Sequence, residues 1–385
     1  MSKRKILVFS SYYLPGYNAG GPIRSLENIF NYMSKEVEFY LVTLNKDHGS
    51  DVPYENIKFN SWTKVGMVNV FYLSESRPKV NFIKKLINEI NPETLYLNSL
   101  FALDFSILIF LSLYLIKIDS VRVVLAPRGE LSKGALEQSK FRKFFFIVLT
   151  RNFQIYKNIT WHASSRFECA DIRREYGDRC NIHIASNLVN NINALRFTPS
   201  PSMQKKGSIK LIFLSRISKM KNLGFAIESL SSLIGKVVFD IYGPFEDLTY
   251  VTHCKLIALK LPDNIKVTFK GDVSHDKVTE LFRRYDLFYF PTKGENFGQV
   301  IWEALSSGCP VLISDQTPWE ELRSYNAGWS FSLSEKKNFT TLLQKIINKD
   351  IGYDLDRFGA HRYALKFGNT KKSLLDNEKL FFNQN

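Results

Sequence analysis

The sequence predicts an α/β protein built from two parallel-sheet halves. Short apolar runs alternate with longer helical patterns along nearly the whole chain, and that alternation builds a parallel sheet covered on both faces. The alternation stops between Asn187 and Ser208 and then restarts. A chain of 385 residues is long enough for two domains of ordinary size.

The first half opens on Lys5 to Ser10, a buried-type strand, followed by a helix over Ile23 to Ser34 and a strand over Val37 to Thr43. Phe82, Ile83, Leu86, Ile87 and Ile90 stand at helical spacing, so Asn81 to Ile90 reads as an amphipathic helix. Thr94 to Asn98 and Val121 to Ala126 read as strands. The apolar run Phe105 to Ile116 between them is too short to span a bilayer, which needs about 20 residues, and is expected as a helix buried against the sheet. Strands follow at Ile159 to Ala163 and Asn181 to Ala185, around a charged helix.

Asn190-Asn191, Pro199, Pro201 and the polar run Gln204 to Gly207 mark 191–208 as a linker. The second half then reads as strands over Ile209 to Ser215, Val237 to Tyr242, Ile265 to Lys270, Leu287 to Phe290 and Pro310 to Ser314. Helices are expected over Asn222 to Leu233, Leu248 to Lys260, Lys277 to Tyr285 and Phe297 to Ser307. The stretch Phe358 to Phe382 looks helical. The expected domains are 1–190, 209–365, and a terminal helix over 366–385 that packs on either half.

Composition narrows the function. Hydrophobic residues at 45% and charged residues at 23% exclude a disordered or collagen-like chain. Cys169, Cys180, Cys254 and Cys309 are too scattered for a paired-cysteine metal or redox site. The apolar run Ile6 to Phe9 is too short for a signal peptide, so a cytoplasmic protein with reduced thiols is expected. A net charge of +15 favours anionic partners. The excess is spread evenly over the two halves, which argues against a nucleic-acid binder with one concentrated basic face.

Open parallel sheets bind ligands outside the carboxyl ends of their strands. After the first strand, Gly20-Gly21 stands just before a helix, where free N–H groups attract phosphate; a merely flexible loop would read the same way. In the second half Arg216 and Lys221 share the loop after the first strand and could grip a diphosphate, or form a solvated basic turn. The strongest signal is Thr292 to Trp319. Glu295 lies in a turn between a strand and a helix, and Glu303 lies about two turns further on. The first carboxylate can accept from sugar hydroxyls and the second can take both hydroxyls of a ribose. The backbone N–H groups of Phe297, Gly298 and Gln299 are free to meet an anionic or polar ligand, and Asn296 beside them is a further donor-binding candidate.

Glu295 and Glu303 resemble the E-x7-E signature of retaining glycosyltransferases of family 4. The resemblance implies the GT-B fold, two Rossmann-like domains whose parallel sheets face a central cleft. It also implies that Glu295 contacts the donor sugar, Glu303 the nucleotide ribose, Arg216 and Lys221 the diphosphate, and Gly20 and Gly21 the donor. Pro127-Arg128-Gly129-Glu130 and the run Ser314 to Trp319 are similar to members that build bacterial O-antigen or capsule. His162 ends a strand, where similar members turn a histidine toward the donor sugar; a satisfied core histidine is the other reading. Arg128 follows a strand and is either a donor-binding group or a partner of Glu130 or Glu137. The Pro-Asn-Gly-Val run of many members is replaced here by Ala185 to Asn190. Asp354-Leu355-Asp356 forms a literal DxD, but no predicted strand precedes it, and similar enzymes need no metal or other cofactor.

The expected activity is therefore transfer of a hexose from a nucleotide sugar to a hydroxyl with retained configuration. The resemblance implies a front-face mechanism in which the leaving phosphate assists the acceptor. The implied acceptor is a lipid-linked glycan at the inner membrane face, with no nucleic-acid partner. Lys133 to Lys157 carries basic residues among Phe141, Phe144, Phe145 and Phe146, which suits a helix on an anionic surface or an ordinary amphipathic helix. A same-fold sugar-nucleotide epimerase or hydrolase and a non-catalytic nucleotide-binding module are the alternatives.

Overall fold

The computed structural model describes residues 3–382 except 76, 117–120, 138–139, 191–197 and 200–203. Most of the expected linker therefore lies outside the described residues. The chain divides into two units. Unit 1 comprises Met1–Val189 and Lys371–Asn385, and unit 2 comprises Asn190–Thr370.

Unit 1 is built on eight strands: β1 (Arg4–Phe9), β2 (Val37–Leu44), β3 (Trp62–Val65), β4 (Val68–Leu73), β5 (Thr94–Leu97), β6 (Arg122–Leu125), β7 (Thr160–Ala163) and β8 (Ile182–Ile184). Their order in the sheet is β3-β4-β2-β1-β5-β6-β7-β8. Every pairing is parallel except β3 with β4. Successive residues of β1 enter opposite cores, which is why it reads as one continuous apolar run. Ile6 and Val8 pack with α1 (Gly21–Met33) through Ile23, Leu26 and Phe30. Leu7 and Phe9 pack with α2 (Val80–Ile90), α3 (Leu108–Leu115), α5 (Lys140–Asn152) and α6 (Arg166–Tyr176). A short α4 (Lys133–Glu137) precedes α5.

The β3–β4 hairpin was not expected. β3 lies at the sheet edge and alternates only between exposed and half-buried positions, so its apolar signal is weak. Trp62 holds it in place against Tyr40 and Phe71. The apolar run before β6 is also not the wholly buried helix expected. It begins as a π-helical turn, Leu103–Ile107, and only Ile109, Ser112 and Leu113 of α3 are buried, while Tyr114 is 82% exposed. A run apolar on all sides carries no period to mark its inward face.

Unit 2 has β9 (Ser208–Leu214), β10 (Lys236–Tyr242), β11 (Ile265–Gly271), β12 (Leu287–Phe290), β13 (Val311–Ser314) and β14 (Gly328–Phe331), in the order β11-β10-β9-β12-β13-β14 and all parallel. Its helices are α7 (Leu223–Glu228), α8 (Leu248–Ala258), α9 (His275–Arg283), α10 (Gln299–Ser306), α11 (Lys336–Asn348) and α12 (Arg357–Phe367). The expected helix Asn222 to Leu233 stops at Glu228. There Ser229 Oγ turns to the Ala226 carbonyl and to Tyr289 Oη, competing with helix propagation.

The C-terminal stretch is two helices. α12 ends before Gly368, and α13 (Lys371–Phe381) belongs to unit 1. Phe381 lies against Phe39 and Tyr96, and Asn377 Nδ2 donates to the Ser186 carbonyl at 2.9 Å. The unit therefore changes at Thr370, a few residues after the expected boundary at 365.

Candidate functional site: the strand ends of unit 2

The loops after β9 and β12 are fastened to each other. Lys293 N donates to the Met220 carbonyl at 2.9 Å, and Asn222 Nδ2 to the Pro291 carbonyl at 2.9 Å. Asn222 itself has φ 60°, a left-handed turn that redirects the chain into α7. Thr292 and Ser314 are fully buried, and Ser314 Oγ donates to the Thr292 carbonyl, which ties the end of β13 to the same loop. Glu295 N donates to the Gln316 carbonyl at 2.9 Å.

This stitching brings Lys221 Nζ into direct contact with Glu295 Oε1. The two side chains are only 15% and 14% exposed, and Thr292 Oγ1 stands 3.5 Å from the same carboxylate oxygen. Arg216 also has a carboxylate partner, Glu246 at 2.8 Å, but that pair is far more exposed. A cation and a carboxylate held together at strand ends can bind a polar ligand that carries both phosphate and hydroxyl groups.

α10 begins at Gly298, whose φ of 75° suits glycine; a Cβ there would come within 2.8 Å of Ile301 Cδ1. Trp319 Nε1 donates to the Phe297 carbonyl and the two rings meet edge to face, so the turn is held from β13's side. Among the described residues, nothing accepts from the N–H groups of Phe297, Gly298 or Gln299. Asn296 Nδ2 is buried without a partner. Glu303 lies further along α10 and pairs with His275 Nε2 at 3.1 Å. His275 opens α9 just after β11, so its strand-end position was legible, but its partner was not.

If Glu303 contacts the donor ribose, Glu303→Gln should raise the donor KM roughly tenfold and leave kcat within about twofold, because such contacts are alike in ground and transition states. Steady-state kinetics with the best donor checks this, and a fall in kcat at unchanged KM would reverse the assignment.

In unit 1, Gly20 caps α1 with φ 69° and the space beside Gly20 and Gly21 is open. Arg128 pairs with neither Glu130 nor Glu137. Its guanidinium donates to Asn98 Oδ1, Asn187 Oδ1 and Tyr96 Oη. His162 departs from its expected orientation toward a sugar. It is 1% exposed, and Nδ1 lies 2.7 Å from Tyr96 Oη while Nε2 donates to the Ala185 carbonyl at 2.8 Å. Both ring nitrogens are occupied within unit 1, which places His162 to position Tyr96. Burial, reinforced by the Arg128 charge, lowers its pKa to about 3.

The native state therefore binds fewer protons than the unfolded chain between pH 6.5 and about 3, and stability should fall as pH drops through that window. The slope is about 1.4 kcal/mol per pH unit for one proton. Denaturant unfolding of wild type and His162→Gln between pH 7.5 and 4.5 should show a stability difference that shrinks on acidification; a constant difference would contradict it.

Asp356 accepts from Gly359 N at 2.9 Å as the cap of α12, so half of the literal DxD serves a helix end. Among the described residues, no group of three His, Cys, Asp or Glu side chains gathers as a metal site.

Residues 198–360 match the family model described as Glycosyl transferases group 1. That segment contains the whole Arg216 to Trp319 site. The chain is 26% identical over 130 residues to the GtfA subunit of a UDP-N-acetylglucosamine–peptide N-acetylglucosaminyltransferase from Streptococcus parasanguinis. That match covers 33% of this chain and 24% of the relative, so the chain spans only a minor part of it. The fold extends over the full length. HepE from Anabaena, solved with UDP and glucose, superposes with a TM-score of 0.69 over 98% of both chains at 16% identity. WaaG, a glycosyltransferase involved in lipopolysaccharide biosynthesis, superposes with a TM-score of 0.63 over 98% of both chains at 15% identity. The two parallel-sheet units have the GT-B fold.

Proposed function

We propose that the protein is a retaining hexosyltransferase that moves a sugar from a nucleotide-sugar donor to a hydroxyl of a lipid-linked glycan in surface-polysaccharide synthesis. The observation that carries this reading is the Lys221–Glu295 pair beside the open N–H groups that start α10. The neighbours support it: HepE was solved with UDP and glucose, and WaaG acts in lipopolysaccharide synthesis.

In this reading Lys221 and Arg216 neutralise the leaving diphosphate in place of a metal, aided by the α10 N-terminus. Glu295 accepts from hydroxyls of the donor sugar and steadies its developing positive charge. The departing phosphate oxygen takes the proton of the acceptor hydroxyl as the new glycosidic bond forms on the same face. Glu303 holds the ribose. The test is a screen of UDP-, GDP- and dTDP-sugar hydrolysis, with and without EDTA. One donor should turn over, equally in both conditions. No turnover above background would overturn the reading, and loss in EDTA would overturn the metal-free mechanism.

We assign the meeting with the acceptor's membrane to α5. Phe141 is 80% exposed, and Phe144, Phe145, Leu149 and Phe153 are exposed beside Arg142 and Arg151. Exposed aromatic residues with cations suit the interface of an anionic bilayer. No helix among the described residues is long and apolar enough to cross a membrane. The chain should co-sediment with phosphatidylglycerol vesicles more than with phosphatidylcholine vesicles, and Phe141→Glu with Phe144→Glu should abolish the difference. Unchanged co-sedimentation would remove α5 from the membrane.

A further inference from the structure

The Pro127–Glu130 loop follows β6 at the carboxyl edge of the unit 1 sheet. Arg128 and Gly129 both lie in the left-handed region, with φ 54° and 86°. A side chain larger than glycine adopts that conformation at a cost, and such residues gather where function requires them. The loop is nevertheless firmly held. Glu168 accepts from Gly129 N at 2.7 Å and from Ser164 N at 2.8 Å. Glu130 accepts from Ser99 Oγ, Leu100 N and Phe101 N at 2.6 to 3.0 Å.

Both nearby carboxylates are thus turned to backbone and hydroxyl donors, and neither pairs with Arg128. Among the described residues, the Arg128 guanidinium has no carboxylate within ion-pair distance. Its three acceptors are neutral: Asn98 Oδ1 at 2.7 Å, Asn187 Oδ1 at 2.8 Å and Tyr96 Oη at 2.7 Å. Asn98 is steadied by Ser10 Oγ at 3.3 Å and Tyr96 by His162, so each acceptor belongs to a fixed network. A guanidinium has five N–H donors. Three are used here, which leaves one on each terminal nitrogen. The group is half-buried and, among the described residues, has no carboxylate counter-ion.

We propose that Arg128 is a phosphate-binding group of unit 1, oriented by Asn98, Asn187 and the Tyr96–His162 pair. Phosphate suits the site because two N–H donors remain on one planar group, the arrangement that grips two oxygens of one anion. The same sheet edge carries the Gly20–Gly21 start of α1, which has no acidic residue in its first turn and no side-chain cap. The phosphate is either the donor's diphosphate or one carried by the acceptor. Only that choice of source rests on the transferase reading, since binding of inorganic diphosphate does not require turnover.

The test uses the full chain carrying Arg216→Ala and Lys221→Ala, which removes the two unit 2 cations proposed to hold the diphosphate. Inorganic diphosphate is titrated by calorimetry at low ionic strength. Binding should persist in this background and weaken at least tenfold when Arg128→Met is added. Arg128→Lys should bind with intermediate affinity, and Tyr96→Phe should weaken binding twofold to fivefold by loosening one anchor. These two milder variants keep the test open should Arg128→Met not fold. Absence of binding in the starting background would overturn the site, as would equal affinity in every variant. In otherwise wild-type protein, Arg128→Lys should raise one KM. A rise for the nucleotide sugar assigns the donor's phosphate, and a rise for the acceptor assigns the acceptor's. Both KM values unchanged would overturn the proposal for turnover.

Discussion

Glu295→Gln should lower kcat by about two to three orders of magnitude while the donor KM changes little. The substitution keeps the side chain's shape and removes its charge. A carboxylate held at the sugar matters most when the sugar becomes cationic, so its loss falls on the transition state. The structure adds a second consequence. Glu295 contacts Lys221 directly, and the amide would leave that ammonium without its carboxylate. A freed Lys221 attracts the diphosphate more strongly, which works against any rise in KM. The measurement is kcat and KM for the best donor in both proteins. A raised KM at unchanged kcat would move Glu295 from the sugar to a binding role, and wild-type kinetics would end the E-x7-E reading.

Lys221→Ala should weaken nucleoside diphosphate binding more than Arg216→Ala. Each change removes a charge-assisted contact of about 1.5–3 kcal/mol, which corresponds to roughly 10- to 150-fold in affinity. Lys221 is the more enclosed of the two, so its charge is less screened. Its removal also leaves Glu295 unneutralised beside the phosphates, adding repulsion to the lost attraction. Arg216 leaves behind only Glu246, a half-exposed group that water can solvate. Nucleoside monophosphate affinity should fall less in both variants. Equal losses for mono- and diphosphate would remove both residues from the diphosphate, and a larger loss at Arg216 would contradict the burial argument. A Lys221→Ala, Glu295→Gln double variant should lose less than the sum of the two single losses, since the residues are in contact.

Much of the site was legible because its parts are local. The strand Leu287–Phe290, the turn at Glu295 and the helix from Gln299 stand in one continuous segment, so spacing alone placed Glu295 in the turn and Glu303 on the helix that follows it. The partners were not legible, because each comes from another strand end. His275 reaches Glu303 across 28 residues and Lys221 reaches Glu295 across 74. His162 shows the converse failure. Its strand-end position was right, but a strand end does not state which way a ring points, and the ring turned inward to Tyr96.

The sequence by itself determined the two-fold alternation of strand and helix, the break near residue 190 and the order of the charged loops, because hydrophobic periodicity and glycine placement act over a few residues. Tertiary structure alone decided the edge hairpin Trp62–Val65 with Val68–Leu73, the return of Lys371–Phe381 to unit 1, and the isolation of the Arg128 charge. The reason is physical. An edge strand is fixed by the sheet it joins, and a terminal helix by the groove that accepts its apolar face. A side chain's charge stays free only when every nearby carboxylate is bound elsewhere, as Glu130 and Glu168 are.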